Sequence, residues 1–291
     1  MGRTPLLLLI APLAALLTTG CSPKPHIVVA SKNFTEQVVL GEIVAQQIER
    51  RLGVAVERKP DLGGTLLAHE ALRGGSIDLY PEYTGTALTA ILKQPIVRDA
   101  KTAFDKVNEG YRAWGIEWLP PLGFNDSFAM VVRSETARAQ GLKSLSDAAR
   151  RHDPWRLGVG YEFTQRPDGL DGLVKSYGLH LQGAPVAMDL GLLYPALRSQ
   201  KVEMVAANAT DGMLAHQEFT VLEDDLHYFP PYECSIVVRD DTLRRYPRLK
   251  ETLTELSGRI SDVSMRHMNE LVDVEHKPVA EVARDFLNSL K

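Results

Sequence analysis

Two cysteines, Cys21 and Cys234, are all that the 291 residues contain, which excludes a fold framed by several disulfides. An excess of positive charge is also missing. Lys and Arg number 33 against 37 Asp and Glu, and no basic stripe with interleaved aromatics argues for a nucleic-acid partner. Enzyme signatures are absent where they would be visible: there is no Gly-x-Ser-x-Gly, no Walker loop and no His-Glu-x-x-His, because His69-Glu70 lacks a second histidine one turn on. Gly158-Val159-Gly160 is half a nucleotide fingerprint and weak as such. The eight histidines are scattered along the chain, so neither a metal site nor a cofactor is expected. Beyond the N-terminal segment no apolar run is long enough to span a bilayer.

What is present begins with an export leader. Arg3 supplies a positive end, residues 6–17 form an apolar stretch broken only by Pro12, and small residues follow. Leu17-Thr18-Thr19-Gly20-Cys21 resembles the lipobox of bacterial lipoproteins, with Thr18 where a leucine is more usual. That resemblance implies a leader over 1–20, a lipid on Cys21 as the first mature residue, and a tether over 21–25. Lipidation would use Cys21 and leave Cys234 without a partner, so no disulfide is expected. Without the lipid, the product would be secreted to the periplasm. The remaining 270 or so residues suffice for two domains of ordinary size.

Strand-like apolar runs alternate with helix-periodic segments, the pattern of an α/β protein. Residues 27–30 read as a buried strand, and Leu40, Ile43, Val44, Ile48 and Leu52 mark one helix face. Asn33 with Glu36 has the spacing of a helix cap and its acid three positions on. Strands are then expected at 54–57 and 77–80, with a helix at 65–73 after Gly63-Gly64. The second half predicts strands at 156–160, 185–188 and 202–207, with helices at 170–177 and 190–199. Residues 235–238 read as a strand returning to the first domain. Leu249, Leu253, Leu256, Ile260 and Val263 keep a helical period after Pro247, and Pro278 starts a last helix.

Binding-site composition is densest in Asp78-Leu79-Tyr80-Pro81-Glu82-Tyr83-Thr84-Gly85-Thr86, which packs rings, carboxylates and hydroxyls into one strand-to-helix junction. A ring held at a strand's end offers its negative face to a cation, worth roughly 0.5–2 kcal/mol. A similar mixture of residue types recurs in four other places, namely Ser31-Lys32-Asn33-Phe34 after the first strand, Asn125-Asp126-Ser127-Phe128, the loop carrying Arg166, and Ala209-Thr210-Asp211-Gly212 with Pro230-Pro231-Tyr232-Glu233. Each has a plain explanation on its own: Asn33 as a cap, Asp126 as a turn former, Arg166 as surface charge, Tyr232 as packing. Together they put cations, a carboxylate and aromatic faces at strand ends, where ligands bind in open α/β sheets.

In these segments (SKNFTEQ, DLYPEYTGT, FNDSFAM, EF..R.DG, TDG and FPPY) the chain resembles, from about residue 26 to its C-terminus, the solute-binding proteins of osmoprotectant ABC importers, which capture glycine betaine, choline, carnitine and related compounds. The resemblance implies a two-lobed periplasmic-binding-protein fold of type II, with doubly wound sheets joined by two crossing strands. Lobe 1 would comprise 26–125 and 230–291, and lobe 2 126–229. It also implies capture without catalysis, a membrane permease as partner, a location on the periplasmic side of the cell envelope, and a monomer. By motif, Tyr83 and Tyr232 would keep cage positions around a quaternary ammonium, Thr86 a hydroxyl, Lys32 and Arg166 an anion clamp, and Asp126 an acidic position beside the cage. Asp78 and Tyr80 fall back to structural roles.

Two cage positions depart. Phe128 stands where tyrosine is usual and keeps a ring face, whereas Asn208 removes a wall. Losing one desolvated cation–π contact of about 1–2 kcal/mol weakens binding about 5- to 30-fold. A betaine larger or more polar than glycine betaine, carnitine-like or ergothioneine-like, is therefore expected. The nearest rival is a binding protein of the same fold for another small solute such as an amino acid. Convergence of Tyr83, Phe128 and Tyr232 on one space separates the cage from that rival. An enzyme would need a nucleophile beside a base in the cleft.

Overall fold

The computed structural model describes residues 26–290; the leader, Cys21 and the tether read from residues 1–25 lie outside them. In chain order the first part runs β1 (His26–Ala30), α1 (Thr35–Leu52), β2 (Ala55–Lys59), α2 (Thr65–Arg73), β3 (Leu79–Tyr83) and α3 (Thr84–Thr86), the last continuing as a π-helical turn over Ala87–Ile91. After α4 (Ala100–Arg112) and β4 (Ile116–Trp118) come β5 (Phe128–Arg133), α5 (Ser134–Gln140), α6 (Leu145–Ala149), β6 (Leu157–Gly160), α7 (Leu170–Tyr177), β7 (Val186–Met188), α8 (Leu193–Arg198), β8 (Met204–Asn208) and β9 (Phe219–Leu222). The chain ends with β10 (Cys234–Arg239), α9 (Asp240–Arg245), α10 (Leu249–Thr254), α11 (Asp262–Asp273) and α12 (Val279–Ser289).

Two five-stranded sheets result, in the orders β2-β1-β3-β10-β4 and β7-β6-β8-β5-β9. Each has three parallel strands followed by one antiparallel strand, β10 in the first and β5 in the second. These two antiparallel strands are the ones entered directly after the chain crosses between sheets. The crossing segments touch: Asn125 pairs with Glu233 in an antiparallel bridge, and Tyr232 N donates to Asn125 Oδ1 at 2.6 Å. This is the doubly wound, two-lobed α/β fold that the sequence predicts.

Helix α1 shows why the first layer forms. Val39, Leu40, Ile43, Val44 and Ile48 lie on one face and are buried against the sheet and the C-terminal helices, each contributing about 1.5–3 kcal/mol. Gly53 stops the helix in the left-handed region at φ 65°. Its start differs from expectation. Phe34, not Asn33, occupies the cap position and has no side-chain acceptor to cap the helix, while Glu36 is turned inward to Tyr83 and Thr210.

Strand β3 begins later than the apolar alternation implies and takes in Pro81. Its pairing with β1 is confined to Val29 and Leu79, so Pro81 owes no donor to that side. The C-terminal periodicity also breaks. Leu249, Leu253, Leu256 and Ile260 are buried, but Ser261 caps a new helix with a reciprocal Ser264 bond and Val263 is left 73% exposed. A capping box outweighs one apolar residue in register.

Candidate ligand-binding site

All eight residues nominated from the sequence, Lys32, Tyr83, Thr86, Asp126, Phe128, Arg166, Asn208 and Tyr232, line one cavity of about 380 Å³ between the two sheets. A larger cavity of about 530 Å³ beside Arg50, Arg51 and Arg259 borders none of them. The strands fix how the rings arrive. Tyr83 ends β3 opposite Cys234, the first residue of β10, and Phe128 opens β5 opposite Asn208, the last of β8. Tyr232 sits two residues before β10, its ring against Gly85, where a Cβ would come within 2.8 Å of that ring and 2.7 Å of Pro231 O. Only glycine permits that approach.

Both cations on the wall are already paired. Lys32 Nζ lies 2.5 Å from Glu82 Oε1 and 3.3 Å from Thr65 Oγ1, and stands 4.8 Å from the centroid of the Tyr83 ring. Arg166 donates through Nε and Nη2 to Asp168, at 3.0 and 2.5 Å, and through Nη1 to Thr86 Oγ1 at 2.9 Å. Its guanidinium is 5.3 Å from the Phe128 ring and 5.6 Å from the Tyr232 ring. An ammonium has three protons and a guanidinium five, so these bonds leave one donor on Lys32 and two on Arg166. The two ion pairs cancel their own charges and leave those donors for a ligand's acceptors.

Further acid is packed behind the rings. Tyr83 Oη donates to Glu36 Oε1 at 2.6 Å, and Thr210 Oγ1 is bonded to Glu36 Oε2 and, at 2.7 Å, to Asp126 Oδ1. A hydroxyl has one proton to give, so one of the two carboxyls must hold its own. Burial pushes Glu36 up to about 7, offset in part by the bonds from Thr210, Tyr83 and Asn269. Burial and the neighbouring Glu36 charge hold Asp126 well above the usual carboxylate range. Opposite them Glu162, from the turn after β6, accepts from Thr65 N at 2.6 Å and from Thr65 Oγ1 at 3.1 Å. Gly64 leaves room for it, since a Cβ there would fall 2.3 Å from Glu162 Oε1. With the ion pairs balanced, Glu162 and the Glu36–Asp126 pair make the cavity a place for positive charge.

Sequence reasoning missed the second row of residues: Glu36, Glu82, Glu162, Asp168 and Thr210. Glu82 and Asp168 are fully buried, and both lie inside the quoted motifs, so buried counter-charges for Lys32 and Arg166 could have been sought there. Asp78 is structural, accepting from Val28 N, Thr242 Oγ1 and Arg245. Cys234 is buried and unbridged. Among the described residues no helix is long and apolar enough to cross a membrane.

Comparisons with known proteins give these features a context. Residues 25–289 match the family model described as the substrate binding domain of ABC-type glycine betaine transport system. The chain is 32% identical over 287 residues to the Helicobacter pylori ergothioneine transport permease/ergothioneine binding protein EgtU, covering 98% of this chain and 51% of that one, so it spans about half of that relative's length. It is 34% identical to a glycine-betaine-binding protein of Pseudomonas aeruginosa, with 94% of this chain and 91% of the relative covered. A crystal structure of a glycine betaine/carnitine/choline ABC transporter superposes with a TM-score of 0.76 at 31% identity, covering 90% of this chain and 98% of the other. With the match running through both sheets and the whole cavity wall, the chain belongs to the family of substrate-binding domains of ABC-type glycine betaine transport systems.

Proposed function

We propose that this chain captures a quaternary-ammonium or betaine-type solute between lobe 1 (26–125 with 230–291) and lobe 2 (126–229) and delivers it to an ABC permease, without catalysing a reaction. One observation carries the reading: three aromatic rings, two ion-paired cations with spare donors and Asp126, which shares Thr210 with Glu36 behind it, meet at one cavity. The rings and the acids favour a cation that needs no hydrogen-bond acceptor, as a quaternary ammonium does. Lys32, Arg166 and Thr86 serve the carboxylate when the ligand has one. The lobes close on the ligand, and the closed form is what the permease recognises. The chain works as a monomer on the periplasmic side of the envelope, held by a lipid on Cys21.

Asn208 favours a betaine larger or more polar than glycine betaine, of the carnitine or ergothioneine kind, because an amide stands where a ring would narrow the cavity. Titration calorimetry with glycine betaine, choline, carnitine, ergothioneine and a set of α-amino acids tests both levels. Micromolar or tighter binding of a betaine is expected; binding of an amino acid and of no quaternary ammonium overturns the function. Tight binding of glycine betaine alone removes only the preference for the larger ligand.

A further inference from the structure

A second cavity, of about 430 Å³, lies against the first. Asn33, Phe34, Leu190 and Asn208 line both. The divider at Asn208 is a short amide, at the position where the motif resemblance leads one to expect a tyrosine.

The chemistry beyond Asn208 differs from that of the ring-lined side. Glu36, Asp211 and Asp273 border the second cavity, and among the described residues none of the three has an ion-pair partner. Their bonds are to neutral donors: Tyr194 Oη and Asn208 N for Asp211, at 3.0 and 3.1 Å, and Thr35 Oγ1 for Asp273, at 2.6 Å. Asn269, on the same wall, is 2% exposed and its Oδ1 has no hydrogen-bond partner. A buried acceptor left unmet is uncommon and calls for a donor. The one arginine on this wall, Arg198, is spent on Glu218. Burial raises Asp211 to about 7, with the Asp126 charge adding to it, and raises Asp273 as well. Positive charge or N–H donors arriving here would meet three carboxyls and an amide oxygen, which disfavour a carboxylate as they ionise.

Resting on the betaine reading above, we propose that the second cavity is the far half of the ligand site: it receives the distal end of an elongated quaternary ammonium, an end that carries N–H donors or positive charge, while the trimethylammonium head stays among Tyr83, Phe128 and Tyr232. Asn208 is then the passage between the halves.

The test compares glycine betaine with two elongated probes of similar length, (3-aminopropyl)trimethylammonium and butyltrimethylammonium, by calorimetry on the wild-type chain and on Asp211→Asn and Asn208→Tyr. The amino probe should bind the wild type about tenfold or more tightly than the butyl probe. Asp211→Asn should shrink that ratio at least about threefold. Asn208→Tyr should weaken the amino probe about tenfold while tightening glycine betaine about 5- to 30-fold, since it closes the passage and adds a ring. Glycine betaine binding and circular dichroism on each variant report folding; if Asp211→Asn does not fold, Asn208→Tyr decides alone. Equal affinity of the two elongated probes for the wild type, or parallel changes for short and long ligands in Asn208→Tyr, overturns the second cavity and leaves the betaine reading standing. Failure of the wild type to bind any of the three overturns both.

Discussion

Arg166 spans the gap between the sheets: its Nη1 donates to Thr86 Oγ1 at 2.9 Å while Nε and Nη2 stay on Asp168 of its own loop. Thr86 follows β3 of the first sheet and Arg166 follows β6 of the second, so the bond joins the two halves of the molecule at the cavity wall. Arg166→Ala should therefore weaken carboxylate-bearing ligands by about 30-fold or more and choline far less, on the scale of one or two charge-assisted hydrogen bonds. Calorimetry with glycine betaine and choline side by side checks this. Equal losses for the two ligands would mean that Arg166 only braces the fold.

Tyr83→Ala removes a ring that is held from both sides, by its bond to Glu36 and by its place opposite Cys234. Binding of any cationic ligand should fall by about 30-fold, the upper end of the value of one desolvated cation–π contact. Retained affinity would place the cation elsewhere in the cavity.

Glu162 closes on the first turn of α2 from across the cavity, where backbone N–H groups and the helix dipole favour a negative charge. Glu162→Gln should lose about 1 kcal/mol of this tie and raise the ligand dissociation rate several-fold, with a smaller effect on association. Stopped-flow fluorescence separates the two rates. A change confined to association would argue against a tie that holds the closed form.

The buried acids give the chain a pH signature. Glu36 moves from an ordinary 4.5 to about 7 and Asp211 from 3.8 to about 7, both chiefly through burial. Folded carboxyls with raised values bind more protons than unfolded ones across that interval, so stability should fall as pH rises from about 4 to 7. Affinity for a cation should move the other way, rising with pH until Glu36 is ionised, with protons released on binding below pH 7. Urea melts over this range, and calorimetry in buffers of different ionisation enthalpy, check the two signs. Glu36→Gln should reduce the affinity slope and part of the stability slope, Asp211 keeping its own share.

Much of the fold is legible in local patterns. The periodic face of α1, the double glycine before α2 and the bounds of α7 follow from spacing and punctuation, whereas the choice of eight cavity residues came from the motif resemblance. What stayed hidden depends on contacts distant in sequence. Glu36 lies in the first turn of α1 and reads as a capping acid; only Thr210, 174 positions away, shows why it turns inward. Pro81 reads as a strand breaker until the ladder to β1 is seen to stop at Leu79. Glu82 and Asp168 sit within the motifs but carry no local sign that each is buried against a cation.

The pairing of β3 with β10 decides which half of the cavity can vary. Tyr83 ends a strand of the first sheet and Tyr232 lies two residues before another, their spacing set by the Cys234–Tyr83 register and by the Gly85 contact, while Phe128 and Asn208 ride on the second sheet. Two of the three rings are thus placed by one sheet and its flanking segment, and Tyr232 reaches the other half through its bond to Asp168. The two departures from the usual cage, Phe128 and Asn208, face each other across the β5–β8 ladder of the second sheet, so the side of the cavity that varies is built by one pair of strands.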